Sequence, residues 1–268
     1  MTMKSDPFQI DAGLITDTGT VRRNNEDAIL YVRPADSATI QHKGILAVVA
    51  DGMGGHQSGE VASQLAVETI SRQYYQSSAP VAQALEQAVL EANQAVFTAA
   101  MSQPHLQGMG TTVTALVLHD GQLWCAHVGD SRLYWITTGH IEQLTRDHSL
   151  VQELFEAGLL EAEEMASHPE KNIITRSVGT HAAVDVDILG PRPVMDGDHF
   201  LLCSDGLYEL VEDDEILAIV NSAPVRVACE KLVSLAKQRG AHDNVSVGIF
   251  ACLANVHPPA RLAITRTD

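Results

Sequence analysis

The chain predicts an α+β domain in which antiparallel sheet carries packed helices, and three observations point there. Strand-like segments outnumber helical ones, hairpin turns join the strands, and helices come in pairs between strand groups. No internal repeat or linker interrupts this order. The expectation is one domain over residues 1–253, followed by a tail over 254–268 that carries Pro258-Pro259 and no periodicity.

Residues 8–16 alternate weakly as a first strand, and Thr16 to Thr20 is turn chemistry. The polar run Val21-Arg22-Arg23-Asn24-Asn25-Glu26-Asp27 leads into a strand over Ala28 to Val32; its two arginines and two carboxylates also fit a surface salt-bridge ladder. The stretch GILAVVA, Gly44 to Ala50, has no charge and stops at a glycine cluster, so it reads as a buried strand with Asp51 at its end. A carboxylate beside apolar core is costly without a cation or donor, although an acidic turn with a solvated Asp51 fits the same residues.

Ser58 to Ile70 has helical composition, with Ser58 or the preceding glycines able to cap it. After Pro80, residues Val81, Leu85, Ala88, Val89, Ala92 and Val96 recur at spacings of three and four and form one packing stripe. Thr111 to Leu118 reads as a strand, Asp120-Gly121 turns it into Gln122 to Val128, and Leu133 to Ile136 with Ile141 to Leu144 continue an antiparallel meander. Beyond Asp147, Val151, Leu154 and Phe155 share a helical face, Gly158 is a stop, and Glu161 to His168 is acidic. The segment fits a flap or an ordinary surface helix pair.

Val184, Val186 and Ile188 alternate as in a strand, and His199 to Cys203 is an apolar strand that ends in Ser204-Asp205-Gly206. Helices follow over Asp213 to Val220 and Val225 to Arg239, the second stopped by Gly240; Val245, Val247, Ile249 and Ala251 then mark a last strand.

A chain of 268 residues with 45% hydrophobic content can bury a full core. There is no run of 18 apolar residues and no apolar leader, so the expectation is a soluble, cytoplasmic protein. Cys125, Cys203, Cys229 and Cys252 lack CxxC spacing and read as reduced core residues. The formal charge of −17 argues against nucleic acid or an anionic membrane as main partner. An anionic ligand would need local positive charge, which bound metal would supply.

Asp51, Asp130, Asp205 and Asp243 all fall at strand ends, the first three beside glycine. Carboxylates gathered at one edge of packed sheets repel unless cations hold them. All-oxygen ligation selects Mg²⁺ or Mn²⁺, and the 12 histidines show no zinc spacing.

Seven blocks then carry a resemblance: VRRNNEDA (21–28), VVADGMGGHQSGEVAS (48–63), GMGTTVTALV (108–117), AHVGDSRLYW (126–135), LTRDHSLV (144–151), LLCSDGLYE (201–209) and HDNVSVGIF (242–250). In this order, over about residues 9–252, the chain resembles the bacterial branch of the metal-dependent PPM, or PP2C-type, protein serine/threonine phosphatases. The resemblance implies an antiparallel β-sandwich flanked by helix pairs, with a binuclear metal centre at one end. Matched position by position, Asp51 is implied to bridge two ions, Gly52 to offer its carbonyl to one, and Asp205 and Asp243 to complete the other. Asp130 is implied to hold a third, weaker ion. Glu26 and Asp27 would hold metal-bound waters, Arg22 would clamp phosphate, and residues 147–172 fall where the family has a variable flap.

Two divalent ions can acidify a shared water to give hydroxide at neutral pH, and can neutralise phosphate oxygens during in-line attack without a phosphoenzyme. The planar fork of Arg22 suits the remaining oxygens. One position departs from many eukaryotic members: Met53 stands where they carry a histidine proposed as general acid. His56 is the nearby candidate, unless it merely packs or caps the next helix while water protonates the leaving group. The implied partners are phosphorylated proteins and a serine/threonine kinase pathway, with a monomeric enzyme. Rival chemistries lack their motifs: the position six after Cys125 is Ser131 rather than arginine, and no P-loop is present. A non-catalytic phosphoprotein-binding module on the same fold is the alternative from another class.

Overall fold

The apolar run at 45–50 is strand β3 (Ile45–Ala50), and it has no polar residue because both of its faces are covered. Successive side chains point to opposite sides of a sheet. Leu46, Val48 and Ala50 join a core under one helix pair, while Ile45, Ala47 and Val49 join a core between two sheets. The structure is a computed structural model that describes residues 8–54 and 58–254.

Two five-stranded antiparallel sheets form the sandwich. One runs in the order β1 (Phe8–Asp17), β12 (Val245–Ala254), β11 (His199–Cys203), β8 (Arg132–Thr137) and β9 (His140–Gln143). The other runs β10 (Asp187–Pro193), β7 (Gln122–Val128), β6 (Val113–His119), β3 and β2 (Ala28–Val32). A small third sheet pairs β4 (Gly52–Met53) with β5 (Gly110–Thr111). Helices α2 (Ser58–Gln76) and α3 (Val81–Ser102) cover the β3 sheet through Ala62, Ala66, Ile70, Leu85, Val89 and Val96. On the opposite outer face α7 (Asp213–Ser222) and α8 (Val225–Gln238) cover the β12 sheet. Helix, sheet, sheet, helix is therefore the layer order, as the resemblance implies, and all four cysteines are buried and free. No helix among the described residues is long and apolar enough to cross a membrane.

Local differences have physical causes. Helix α1 (Ser37–Lys43) was not read from the sequence; Asp36 caps it by accepting from the Thr39 amide at 2.7 Å, and Gly44, at φ 68°, ends it. Gly44 is thus a helix cap rather than the first residue of β3. The meander breaks after β7, because Gly129 to Ser131 carries the chain across the sandwich and β8 pairs with β11 instead. Val184 and Val186 lie outside β10 but still pack against the α2–α3 core, so their alternation reports burial and not pairing. Of the expected tail, only Ala254 is described, as the last residue of β12; residues 255–268 lie outside the described set.

Phe250 is fully buried between the sheets, its ring 5.6 Å from that of Tyr31. Phe250→Ala should cost about 3–5 kcal/mol, the range for emptying an aromatic site in a close-packed core. Urea unfolding should show it as a lower midpoint at unchanged slope; a loss below about 1 kcal/mol would mean that the sheets close over the gap.

Candidate active site

Antiparallel pairing brings the polar ends of distant segments to one edge of the sandwich. Ala28 pairs with Ala50 and Val113 with Val128, so Glu26-Asp27, Asp51 and Asp130 leave the β3 sheet at the same end. In the facing sheet Asp17 pairs with Val245, and Cys203 pairs with both Val247 and Arg132. Asp243 and Asp205 therefore flank that same edge. Asp205 is the first residue of a short helix, α6 (Asp205–Tyr208), missed in the sequence.

Side chains hold this edge in place through its backbone. The Asp51 amide donates to Thr112 Oγ1 at 2.9 Å, and the Asp51 carbonyl accepts from the Thr112 amide at 2.9 Å and from Thr111 Oγ1 at 2.8 Å. Thr112 Oγ1 also lies 2.7 Å from Ser131 Oγ, and Thr114 Oγ1 donates to the Ser131 carbonyl at 2.8 Å. These contacts couple the Asp51 turn to the Asp130 turn. Asn244 works on the other side. Its Oδ1 accepts from the Glu26 amide at 2.7 Å, its Nδ2 donates to the carbonyls of Thr18 and Asn24, and its own amide donates to Asp243 Oδ1 at 2.8 Å. Ser204 Oγ donates to Asp27 Oδ2 at 2.7 Å and accepts from the Ser246 amide. Gly52 must be glycine, because a β-carbon there would overlap the carbonyls of Gly59 and Glu26.

The result is a concentration of negative charge with little solvent. Burial, then the neighbouring Asp27, Asp205, Asp130 and Asp243, push the Asp51 carboxyl well above the usual carboxylate range. Burial followed by Asp205 raises Asp130, and burial followed by Asp243 raises Asp205 to about 6. Burial raises Asp27 to about 7 despite its hydrogen bond to Ser204. Oδ1 of Asp27 and Oδ1 of Asp205 are buried without a hydrogen-bond partner. Orphaned carboxylate oxygens in a repelling cluster are what a divalent cation satisfies. The donors gathered at this edge are carboxylate and carbonyl oxygens. An all-oxygen donor set fits Mg²⁺- or Mn²⁺-like ions, which complete their shells with water, and does not fit structural zinc, which is held mainly by nitrogen and sulfur ligands.

Arg22 reaches the same edge, its Nη2 2.6 Å from Asp243 Oδ2 and its side chain half exposed. The bond to Asp243 raises its already high pKa, so it is a fixed cation. It forms one wall of an open cavity of about 650 Å³ that also touches Arg23, Glu26, Ser58, Val61 and His105. His105, in a single 3-10 turn, was not singled out in the sequence; Ser58 Oγ donates to its carbonyl at 2.9 Å. His56 lies outside the described residues. Met53 sits in β4 opposite Gly110.

The expected flap contains α4 (Leu150–Glu156) and α5 (Ala162–Met165). His148, at its base, accepts the Gly129 amide at Nδ1 (2.9 Å) and returns its own amide to the Gly129 carbonyl (2.7 Å). Lys171, at the far end, pairs with Glu209 at 2.8 Å. Between flap and sandwich lies a cleft of about 320 Å³ reached by Asp130, Tyr208 and the Arg132–Asp147 ion pair.

Comparison with known proteins agrees with this fold. Residues 21–245 match the family Protein phosphatase 2C. The serine/threonine phosphatase stp of Listeria monocytogenes is 37% identical over 240 residues, covering 87% of this chain and 92% of that protein. The crystal structure of the Mycobacterium tuberculosis serine/threonine phosphatase PstP/Ppp superposes with a TM-score of 0.81 at 34% identity, covering 92% of this chain and 99% of that one. The catalytic domain of PstP in complex with two manganese ions superposes with a TM-score of 0.78 at 33% identity, covering 91% and 98%. With residues 21–245 matched to the family and both relative and solved structure covered over nearly their whole length, the chain belongs to the protein phosphatase 2C family.

Proposed function

We propose that this chain is a Mg²⁺- or Mn²⁺-dependent protein phosphatase that removes phosphate from phosphoserine and phosphothreonine on signalling proteins. The observation that carries the proposal is the cluster of desolvated, mutually repelling aspartates beside a fixed arginine at a cavity mouth. Asp51 and the Gly52 carbonyl would hold one ion, and Asp51 with Asp205 and Asp243 the other. Asp130, with Asp205, would hold a third and weaker one. Divalent cations bound there supply positive charge to a phosphate and lower the pKa of water.

The chain's own groups do the rest. Glu26 and Asp27 orient water, the latter held by Ser204. Only Nη2 of Arg22 is bonded to Asp243, so the other N–H donors of its fork remain for phosphate oxygens. Met53 has no proton to give, and His56 is the proposed donor to the departing hydroxyl. Residues 1–253 act as one catalytic domain and 147–172 as its flap, in keeping with the contacts of His148 and Lys171. A monomer in the cytoplasm, opposing a serine/threonine kinase, is the setting that fits an acidic chain with phosphoprotein substrates.

Phosphate release from a phosphothreonine peptide should require Mn²⁺ or Mg²⁺ and be lost to chelation; a protein that binds the peptide but releases nothing would be a binding module. In the same assay His56→Ala should lose about 10²-fold or more on the peptide, the lower range for a positioned general acid. It should lose far less on p-nitrophenyl phosphate, whose leaving group needs no proton. Equal losses on both substrates would make His56 structural.

Asp51→Asn and Asp205→Asn should abolish turnover, since each removes charge shared between ions. Asp130→Ala should keep two ions bound by calorimetry while activity falls. Full activity with unchanged stoichiometry would remove Asp130 from the site.

The raised carboxyls also set a stability dependence. Asp27, Asp51, Asp130 and Asp205 keep protons in the folded chain that they lose near pH 4 when unfolded. Between about pH 4 and 7 the folded state therefore binds more protons, so metal-free stability falls as pH rises through that window. The melting temperature of chelated protein should drop from pH 5 to pH 7.5, and Mn²⁺ should raise it more at pH 7.5. A Mn²⁺ shift that is equal at both values would mean that the aspartates are not the ligands.

A further inference from the structure

The cavity beside Arg22 is larger than a phosphate needs. Its volume of about 650 Å³ falls within the range of roughly 300–1,000 Å³ typical of sites that enclose whole ligands. Its far wall differs in character from the aspartate edge. Val61, 40% exposed at the start of α2, and the largely buried Leu106 give it apolar lining, and His105 lines it too. Arg22 and Arg23 give it two cations against the one carboxylate of Glu26.

Arg23 stands apart from most arginines of this chain. Arg22, Arg132, Arg146, Arg176, Arg192, Arg226 and Arg239 each pair with a carboxylate, as expected where acidic residues outnumber basic ones 34 to 17. Among the described residues Arg23 has no ion pair and no hydrogen bond, yet it is exposed and lines the cavity next to the proposed phosphate clamp. An unpaired guanidinium facing a pocket in a chain of charge −17 repels cationic peptides locally and attracts an anionic group. The apolar wall suits the methylene stem of such a side chain.

We infer that this cavity is a subsite for an acidic residue flanking the phosphorylated serine or threonine, and that Arg23 determines the preference. The inference rests on the phosphatase reading above. The fork of Arg23 grips the flanking carboxylate, Val61 and Leu106 cover its stem, and Arg22 keeps the phosphate at the neighbouring position. The chain thereby selects substrates whose phosphosites lie in acidic sequence, against the sign of its own net charge.

The test is a set of phosphothreonine peptides in which glutamate, leucine or lysine is placed in turn at each of the three positions on either side, with kcat/KM measured in Mn²⁺. At one position glutamate should exceed leucine by about two- to fivefold, the scale of an exposed ion pair, with lysine slowest and the difference carried by KM. In Arg23→Gln the glutamate-to-leucine ratio at that position should fall to about one, and Arg23→Lys should restore part of it. No position that favours glutamate, or a ratio that survives Arg23→Gln, overturns the subsite while leaving the phosphatase reading intact. No phosphate release from any peptide or from p-nitrophenyl phosphate by the unaltered protein in Mn²⁺ overturns the phosphatase reading and the subsite with it.

Discussion

Mutual repulsion among five carboxylates is the constraint on which the rest of this molecule depends. Asp27, Asp51, Asp130, Asp205 and Asp243 come from five separate stretches of chain, and several are held where water reaches them poorly. Without a cation, the fold answers by keeping protons on some of them. Such a cluster is tolerable only if the scaffold around it is stable enough to carry the cost, and the two covered sheets supply that scaffold. Three separate cores, one under each helix pair and one between the sheets, stand behind one polar edge.

Holding the carboxylates apart at a fixed spacing falls to neutral side chains. Thr111, Thr112 and Thr114 reach from one strand end to the Asp51 and Ser131 turns, while Asn244 and Ser204 tie the 24–27 segment to the ends of β11 and β12. Hydroxyls and amides serve here because a further cation would fill the site and a further anion would add to the repulsion. Arg22 is the exception, and it stands at the exposed rim, where one of its donors steadies Asp243 without entering the cluster.

Much of this was legible in the sequence, for identifiable reasons. The strand ends were readable because GILAVVA and HFLLC are apolar runs cut by Asp-Gly or Ser-Asp-Gly, and the helix pairs because Val81 to Val96 keep one stripe. The layer order came from the resemblance, since periodicity says which residues are buried but not which sheet buries them. That limit explains the broken meander: β8 has the alternation of a strand beside β7, yet Gly129 sends it to the opposite sheet. Helix α1 was missed because seven residues carry too little pattern, and Asp36 with Gly44 were its only signals. At the site, the aspartates announced themselves beside glycines. Thr112 and Asn244 did not, since their work is done through backbone partners up to 226 residues away. Arg23 was legible only as half of a pair, until the cavity distinguished it from Arg22.

The position of β12 has a consequence for how the protein is made. β1, at the start of the described chain, has β12 as its only ladder partner, and β12 also separates β1 from β11 in the sheet. On a ribosome, β1 emerges more than two hundred residues before the strand that will seat it, and Glu26 waits equally long for Asn244. The β3 sheet and its helices can form early from neighbouring segments, but the facing sheet closes only around the last strand. The edge that gathers the aspartates therefore waits for β12: on the proposed assignment, a nascent protein that lacks this strand, however far its first layers have folded, has no assembled centre with which to act on phosphoproteins near the site of synthesis.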